Sequence, residues 1–397
     1  MAGASTARNA TDRALVVVFL RGAMDGLMAV QPLGDSFLRA ARPSLLLTPG
    51  RGELPPLDLG NGFALHPALA PLLPIWQRGE MAVVHGCGSP HPTRSHFDAQ
   101  DFMETATPGR KGVEDGWLNR LARSNGADRA LFGAVSLTGM APRSLQGPAP
   151  ALAIPDLQRF QLARPAAGGA ALEALYRDSP DGLLRSRGAT LTVYPMLDLR
   201  SRGAELFDSL RLLGSEEVAA YRSARAARYP KSPLAQSLMQ IAFLLRQGVG
   251  LRIGFAESGG WDTHIRQGRE QGSFAVRAGD LAASLAAFWE DLGDLADRVT
   301  VLTMTEFGRT VAENGTGGTD HGHGSCLFLL GRNVHGARVH GSLPELRPEE
   351  LFAGRDLPVT TDFRAVLCDV ADKVFGVRDD EFLFPGWYGA PADVLWG

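Results

Sequence analysis

An α/β fold built on a mainly parallel sheet is what this chain of 397 residues predicts. Three observations carry it. The apolar runs are continuous and β-branched, as in strands covered on both faces. A strong amphipathic helix separates consecutive runs in the second half, the alternation of a layered α/β sheet. Glycine-bearing polar turns follow the runs, and open α/β sheets seat their ligands at those strand ends.

The first run, Ala14–Leu20, reads as a buried strand ending in the turn Arg21-Gly22-Ala23-Met24-Asp25-Gly26. The run 81–86 repeats the design and leads into Ser89-Pro90-His91-Pro92-Thr93-Arg94-Ser95-His96. Ser95 with Asp98 three residues on resembles a capping box, so a helix is expected over 96–104 with Ser95 at its start. Backbone N–H groups and the helix dipole favour an anion there. The stretch 109–247 is expected as a helical and loop insertion. Within it, 142–165 reads as loops, while 172–213 and 218–245 read as helical around an apolar piece at 191–197. Three more strands are expected at 251–255, 299–304 and 326–330. The helix over 281–295 shows apolar residues at helical spacing (Leu281, Leu285, Phe288, Leu292, Leu295). A last helix, 362–375, opens on Asp362. The chain then reads as one domain over 14–397, preceded by a flexible N-terminus at 1–13.

Composition excludes several classes. Forty basic against 43 acidic side chains give a net charge of −3, which argues against nucleic acid as a partner. No apolar run approaches the ~20 residues a bilayer-spanning helix needs. The sequence carries no export signal as written, so a cytoplasmic location is expected unless a leader has been removed. Cys87, Cys326 and Cys368 are sparse and odd in number, so they read as buried small hydrophobes rather than a disulfide framework.

The chemistry concentrates in two short stretches. Gly317-Gly318-Thr319-Asp320-His321-Gly322-His323-Gly324 sets one carboxylate and two imidazoles on a glycine-rich loop, in a chain with only nine histidines. Gly259-Gly260-Trp261-Asp262-Thr263-His264 again sets Asp beside His after a strand. Residues two apart in an extended segment point to one side, so Asp262 with His264, and His321 with His323, can each grip an ion. Mixed Asp and His donors suit zinc, manganese or iron. Asp25 and Glu306 follow other strands, and His91 and His96 lie close enough to join. Ser95 is the hydroxyl expected to act as nucleophile on a phosphate or sulfate ester, with Thr93 in reserve. Arg94 or Arg309 is expected to hold the anion in a bidentate fork. Two divalent ions can clamp the attacking and leaving oxygens of such a displacement. The rival expectation is a non-catalytic binding or assembly protein that keeps the fold and a structural ion.

The order of these residues resembles the alkaline phosphatase superfamily, which includes phosphoglycerate mutases, nucleotide pyrophosphatases and sulfatases. The resemblance implies a three-layer α/β/α sandwich and a two-metal site holding zinc, manganese or magnesium. Asp262 and His264 would bind one ion with a further histidine, which His323, His335 or His340 could supply. Asp25, Asp320 and His321 would bind the other ion, with Ser95 beside both. Only one residue separates Asp262 from His264, where the superfamily places them about a helical turn apart. Pro90 stands where a sulfatase carries its modifiable residue, so no formylglycine is expected. More closely, residues 15–341 resemble the bacterial family called domain of unknown function 1501. Arg94-Ser95-His96-Phe97-Asp98, Gly259-Gly260-Trp261-Asp262-Thr263-His264, Glu306-Phe307-Gly308-Arg309-Thr310 and Gly318-Thr319-Asp320-His321-Gly322 carry that resemblance. Members of that family often have a twin-arginine leader, which would place the protein in the periplasm. A small anionic ester is the implied substrate.

Overall fold

Side chains along Ala14–Leu20 (β1) alternate between two apolar cores. Ala14, Val16, Val18 and Leu20 enter one, and Leu15, Val17 and Phe19 the other. That is the period-two alternation of a strand buried on both faces. The structure, a computed structural model, describes residues 13–48, 54–159, 185–186, 189–190, 192–194 and 215–396.

The other strands of the central sheet are β2 (Met81–Gly88), β3 (Ala134–Ser136), β4 (Ala151–Ala153), β5 (Thr192–Tyr194) and β6 (Ile253–Ser258), then β7 (Val299–Met304), β8 (Ser325–Leu330), β9 (Arg338–His340) and β10 (Thr361–Asp362). They form a ten-stranded sheet of order β5-β4-β3-β6-β1-β7-β8-β2-β9, with β10 also on β2. Every pairing is parallel except those of β5 with β4 and of β8 with β7 and β2. One core holds the helices Pro233–Gln247 and Ser273–Leu292, and the other holds Trp117–Asn125 and Phe363–Phe375. The result is a mixed α/β sandwich of three layers.

Several expected elements shift for local reasons. The strand expected at 251–255 starts at Ile253 and runs on to Ser258, because β1 pairs with it as far as Leu20–Ser258. The helix expected over 218–245 is two helices, Ser215–Arg225 and Pro233–Gln247. Pro230 and Pro233 separate them: each lacks an N–H, and each biases the preceding residue away from helix. Much of 172–213 lies outside the described residues. Thr192–Tyr194, inside the apolar piece, is the edge strand, and Arg185–Ser186 pairs with Ala189–Thr190 as a hairpin where helix was expected. The stretch 109–247 is therefore more than an insertion, since it supplies β3, β4 and β5. All three cysteines are buried and free. Among the described residues, no helix is long and apolar enough to cross a membrane.

One reversal positions the site. Because β8 runs against its neighbours, its entrance lies at the same sheet edge as the exits of β1, β6 and β7. The turn at 21–25, the turn at 259–264, the loop at 305–311 and the approach to β8 at 319–324 therefore stack at that edge.

Candidate metal centre

Stacking those loops demands glycine. Gly22 has φ +115°, and a Cβ there would meet the Asp262 amide at 2.6 Å. Gly308 sits so close that a Cβ would lie 1.8 Å from the Gly324 carbonyl. Arg309 then stitches the layers together. Its buried guanidinium donates to the carbonyls of Ala23 (2.9 Å), Gly22 (2.9 Å), Trp261 (3.1 Å) and Thr319 (3.1 Å), and to Asp262 Oδ1. A planar fork with five donors suits this, whereas a lysine could not span it. So occupied, Arg309 is a structural clamp on Asp262 and not the expected anion holder.

Three donors converge above it, with His264 against their flank. His96 Nε2 lies 3.0 Å from His321 Nε2, and His264 Nε2 lies 2.9 Å from the same atom. Asp262 Oδ1 lies 3.2 Å from His321 Nε2 and 3.0 Å from His264 Nε2. Donor atoms of His96, Asp262 and His321 all fall within 4.8 Å of one another. Around one ion with bonds of about 2.0–2.1 Å, adjacent donors stand about 2.9–3.4 Å apart, between right and tetrahedral angles.

The other nitrogen of each ring decides what these contacts become when the rings are neutral. His96 Nδ1 donates to Glu306 Oε1 at 2.8 Å, and His264 Nδ1 to Asp320 Oδ1 at 3.0 Å. His321 Nδ1 donates to the Arg94 carbonyl at 2.9 Å. With each Nδ1–H committed, a neutral ring presents a bare lone pair at Nε2. Three lone pairs and a carboxylate oxygen thus face one another, an arrangement that repels itself and that a cation relieves. Carboxylate and carbonyl partners on the far nitrogen are the usual support of a metal-bound histidine.

The carboxylates agree with a cation site. Partial burial pushes the Asp262 carboxyl up, but Arg309 and the neighbouring histidines outweigh it and hold it below the usual range. Burial also opposes ionisation of Glu306, and its bonds from His96 and Gln100 overcome that and keep it low. Asp320 is lowered by Asn314 and then by His264. Glu306 in turn raises His96, favouring a proton on Nε2 that a bound ion would displace, whereas burial lowers His321.

The remaining expected residues are placed elsewhere. Asp25 is not with His321: its carboxylate is buried, accepting from Met28 N (3.1 Å), Arg42 (2.8 Å) and Gln267 (2.7 Å). Asp320 orients His264 and does not join the convergent oxygens. His323 faces away and stacks on Phe352, because Gly322 N and His323 O both bond to Gly308 and turn the chain. His335 packs on Trp396, and His340 donates to the His335 carbonyl. His91 packs edge-on to Phe102. The Arg94 side chain pairs with buried Asp356. Ser95 is exposed and caps the helix His96–Thr105, with its Oγ 3.5 Å from Asp98 N. The second ion expected on Asp25, Asp320 and His321 therefore has no assembled site, and a single cluster is found among the described residues. His96 is the donor that the sequence left outside the ligand set. Its signal was its place beside Ser95, one helix start from a strand end.

No curated protein matches this chain in sequence. Among solved structures, it is similar to the PsFucS1 sulfatase from Pseudoalteromonas sp., at 11% identity and a TM-score of 0.41, over 96% of this chain and 73% of that one. It is also similar to Ps i-CgsB, at 10% identity and a TM-score of 0.36, over 94% of this chain and 74% of that one. Likeness this distant transfers no residue role. The pattern defining the proteins of unknown function DUF1501 matches residues 81–383, a span that takes in His96, Asp262, His264 and His321, and the chain belongs to that family.

Proposed function

We propose that this protein is a divalent-metal-dependent hydrolase of phosphate or sulfate esters on an alkaline phosphatase-like scaffold. One observation carries the reading: three imidazoles, each with Nδ1–H committed elsewhere, meet at Nε2 beside Asp262. His96, Asp262 and His321 would hold the ion, with His264 packed against His321 and Asp262 beside them. Nitrogen with carboxylate oxygen suits zinc, manganese or iron better than magnesium. When bound, such an ion polarises the ester oxygen and lowers the pKa of a coordinated hydroxyl.

Exposure favours catalysis over a structural ion. Asp262 is 45% and His264 36% exposed, so the donors line an open surface. Structural zinc sites are closed by protein on all sides, whereas catalytic ones keep a position for water or substrate. Ser95 takes the nucleophile's part. Its hydroxyl is exposed beside His96, and its long capping contact leaves it free to turn. The first-turn amides of its helix favour the ester's negative oxygens. Arg309 holds Asp262 ionised and in place.

Elemental analysis of freshly purified protein, with hydrolysis of 4-nitrophenyl phosphate and sulfate, tests the reading. Close to one equivalent of metal is expected, with turnover that collapses in Ser95→Ala while the metal stays. Protein that binds no added zinc, manganese or iron and cleaves neither ester defeats it. Full turnover by Ser95→Ala would move the nucleophile from Ser95 to a coordinated water.

A further inference from the structure

Beside His321 lies a feature that the proposed reaction does not use. The Asp356 carboxylate is fully buried, yet two arginines share it. Arg94 donates Nε at 3.0 Å and also Nη2 to Oδ2, while Arg355 donates Nε to Oδ1 at 2.9 Å. One carboxylate against two guanidinium groups leaves the triad net positive, with exposed Asp320 a further carboxylate within the reach of Arg355. Both arginines reach the surface, Arg94 at 36% and Arg355 at 44% exposure. Among the described residues, neither Nη1 has a hydrogen-bond partner. Arg355 Nη2 also donates to the His321 carbonyl at 2.7 Å, and the Arg94 carbonyl receives His321 Nδ1. His321 is thus clasped by both arginine residues on the sides away from its Nε2.

We propose that Arg94 and Arg355, locked on Asp356, form a second anion subsite, so that the preferred substrate is an ester carrying a further phosphate, sulfate or carboxylate. The physical basis is preorganisation. A surface arginine loses side-chain freedom when it grips an anion, and Asp356 has already fixed both forks. Arg355 meets His321 at its backbone carbonyl, so an imidazole and its Cα stand between that guanidinium and the donor cluster. The pair is therefore placed for a neighbouring group and not for the ester under attack. The scissile group rests on the hydrolase reading above, whereas the subsite can be tested without it.

Two measurements do so. Calorimetry with inorganic phosphate on chelator-treated protein reads the subsite with no metal and no turnover. Binding is expected, and Arg355→Gln should weaken it by about tenfold, as loss of a charge-assisted hydrogen bond from Nη1 does. Arg355→Lys, which keeps the charge without the fork, should fall between. Kinetics on an aryl phosphate or sulfate with and without a ring carboxylate reads specificity. The kcat/KM ratio should favour the carboxylated ester in the wild type and fall towards unity in Arg355→Gln, through KM. Absence of phosphate binding by chelator-treated wild type, or equal binding by wild type and Arg355→Gln, overturns the subsite. Phosphate binding without hydrolysis of any ester would leave the subsite standing and remove the hydrolase.

Discussion

Two polar clusters sit at the same sheet edge, and they differ in whether their own partners complete them. Around Asp25, every strong group is matched: Arg42 at 2.8 Å, Gln267 at 2.7 Å, and Gln267 Oε1 accepting from Thr263 and Thr319. Asp25 and Arg42 are each 1% exposed. Around Asp262, three imidazole Nε2 atoms meet in an open site, and neutral rings there have no donor for their lone pairs. A closed network of this kind holds loops together, whereas an open excess of acceptors asks for a cation. The order of Asp and His along the chain does not distinguish the two; the partners do.

The largest effect should come from the open cluster. Asp262→Asn, or His321→Ala, is expected to reduce bound metal from about one equivalent to none and to abolish ester hydrolysis. Far-ultraviolet circular dichroism should stay as in the wild type. Metal retained at full stoichiometry in both variants would reverse the comparison. Next comes the closed network. Arg42→Ala leaves a buried carboxylate uncompensated, which costs about 3–5 kcal/mol, read as a lower denaturant midpoint. An unchanged midpoint would mean that Asp25 is not sequestered.

A third effect is on stability against acid. His85 is buried and neutral, donating Nε2–H to the Val30 carbonyl and accepting Gly86 N–H at Nδ1, so it has no room for a second proton. Burial lowers it to about 4 in the folded protein, from an ordinary 6.5. The unfolded chain therefore binds the extra proton first as the pH falls. Stability is full above 6.5, declines through the window from 6.5 to about 4, and levels off below. The loss is about 3 kcal/mol, and His85→Gln should shrink it in denaturant titrations at pH 7 and pH 4.5. The smallest effect is at Glu306. Glu306→Gln keeps the shape but weakens the partner of His96, so metal affinity should fall about 10–100-fold by competition with a chelator.

These contrasts mark what the chain made legible. Strands such as Ala14–Leu20 were readable because burial on both faces leaves no polar positions, and the helix at 363–375 because Asp362 caps it. The edge that holds the site was readable from Asp262 and His264 in a strand-end turn. The reversal of β8 was not, since residues 325–330 are equally apolar in either direction. Nor were the roles of Asp25 and Asp320, because a carboxylate after a strand looks alike whether it takes an arginine, a histidine or an ion. Arg355 and Asp356 stayed hidden for a related reason: their importance lies in touching Arg94 and His321, which no local pattern records.

The clasp between His96 and His321 joins positions 225 residues apart. A cation seated there closes more than half of the polypeptide into one ring, and no fragment emerging during synthesis can hold it before His321 arrives. Capture of the ion would then act as a late latch on a fold already formed, so that withdrawing it lowers the denaturant midpoint while the secondary structure persists.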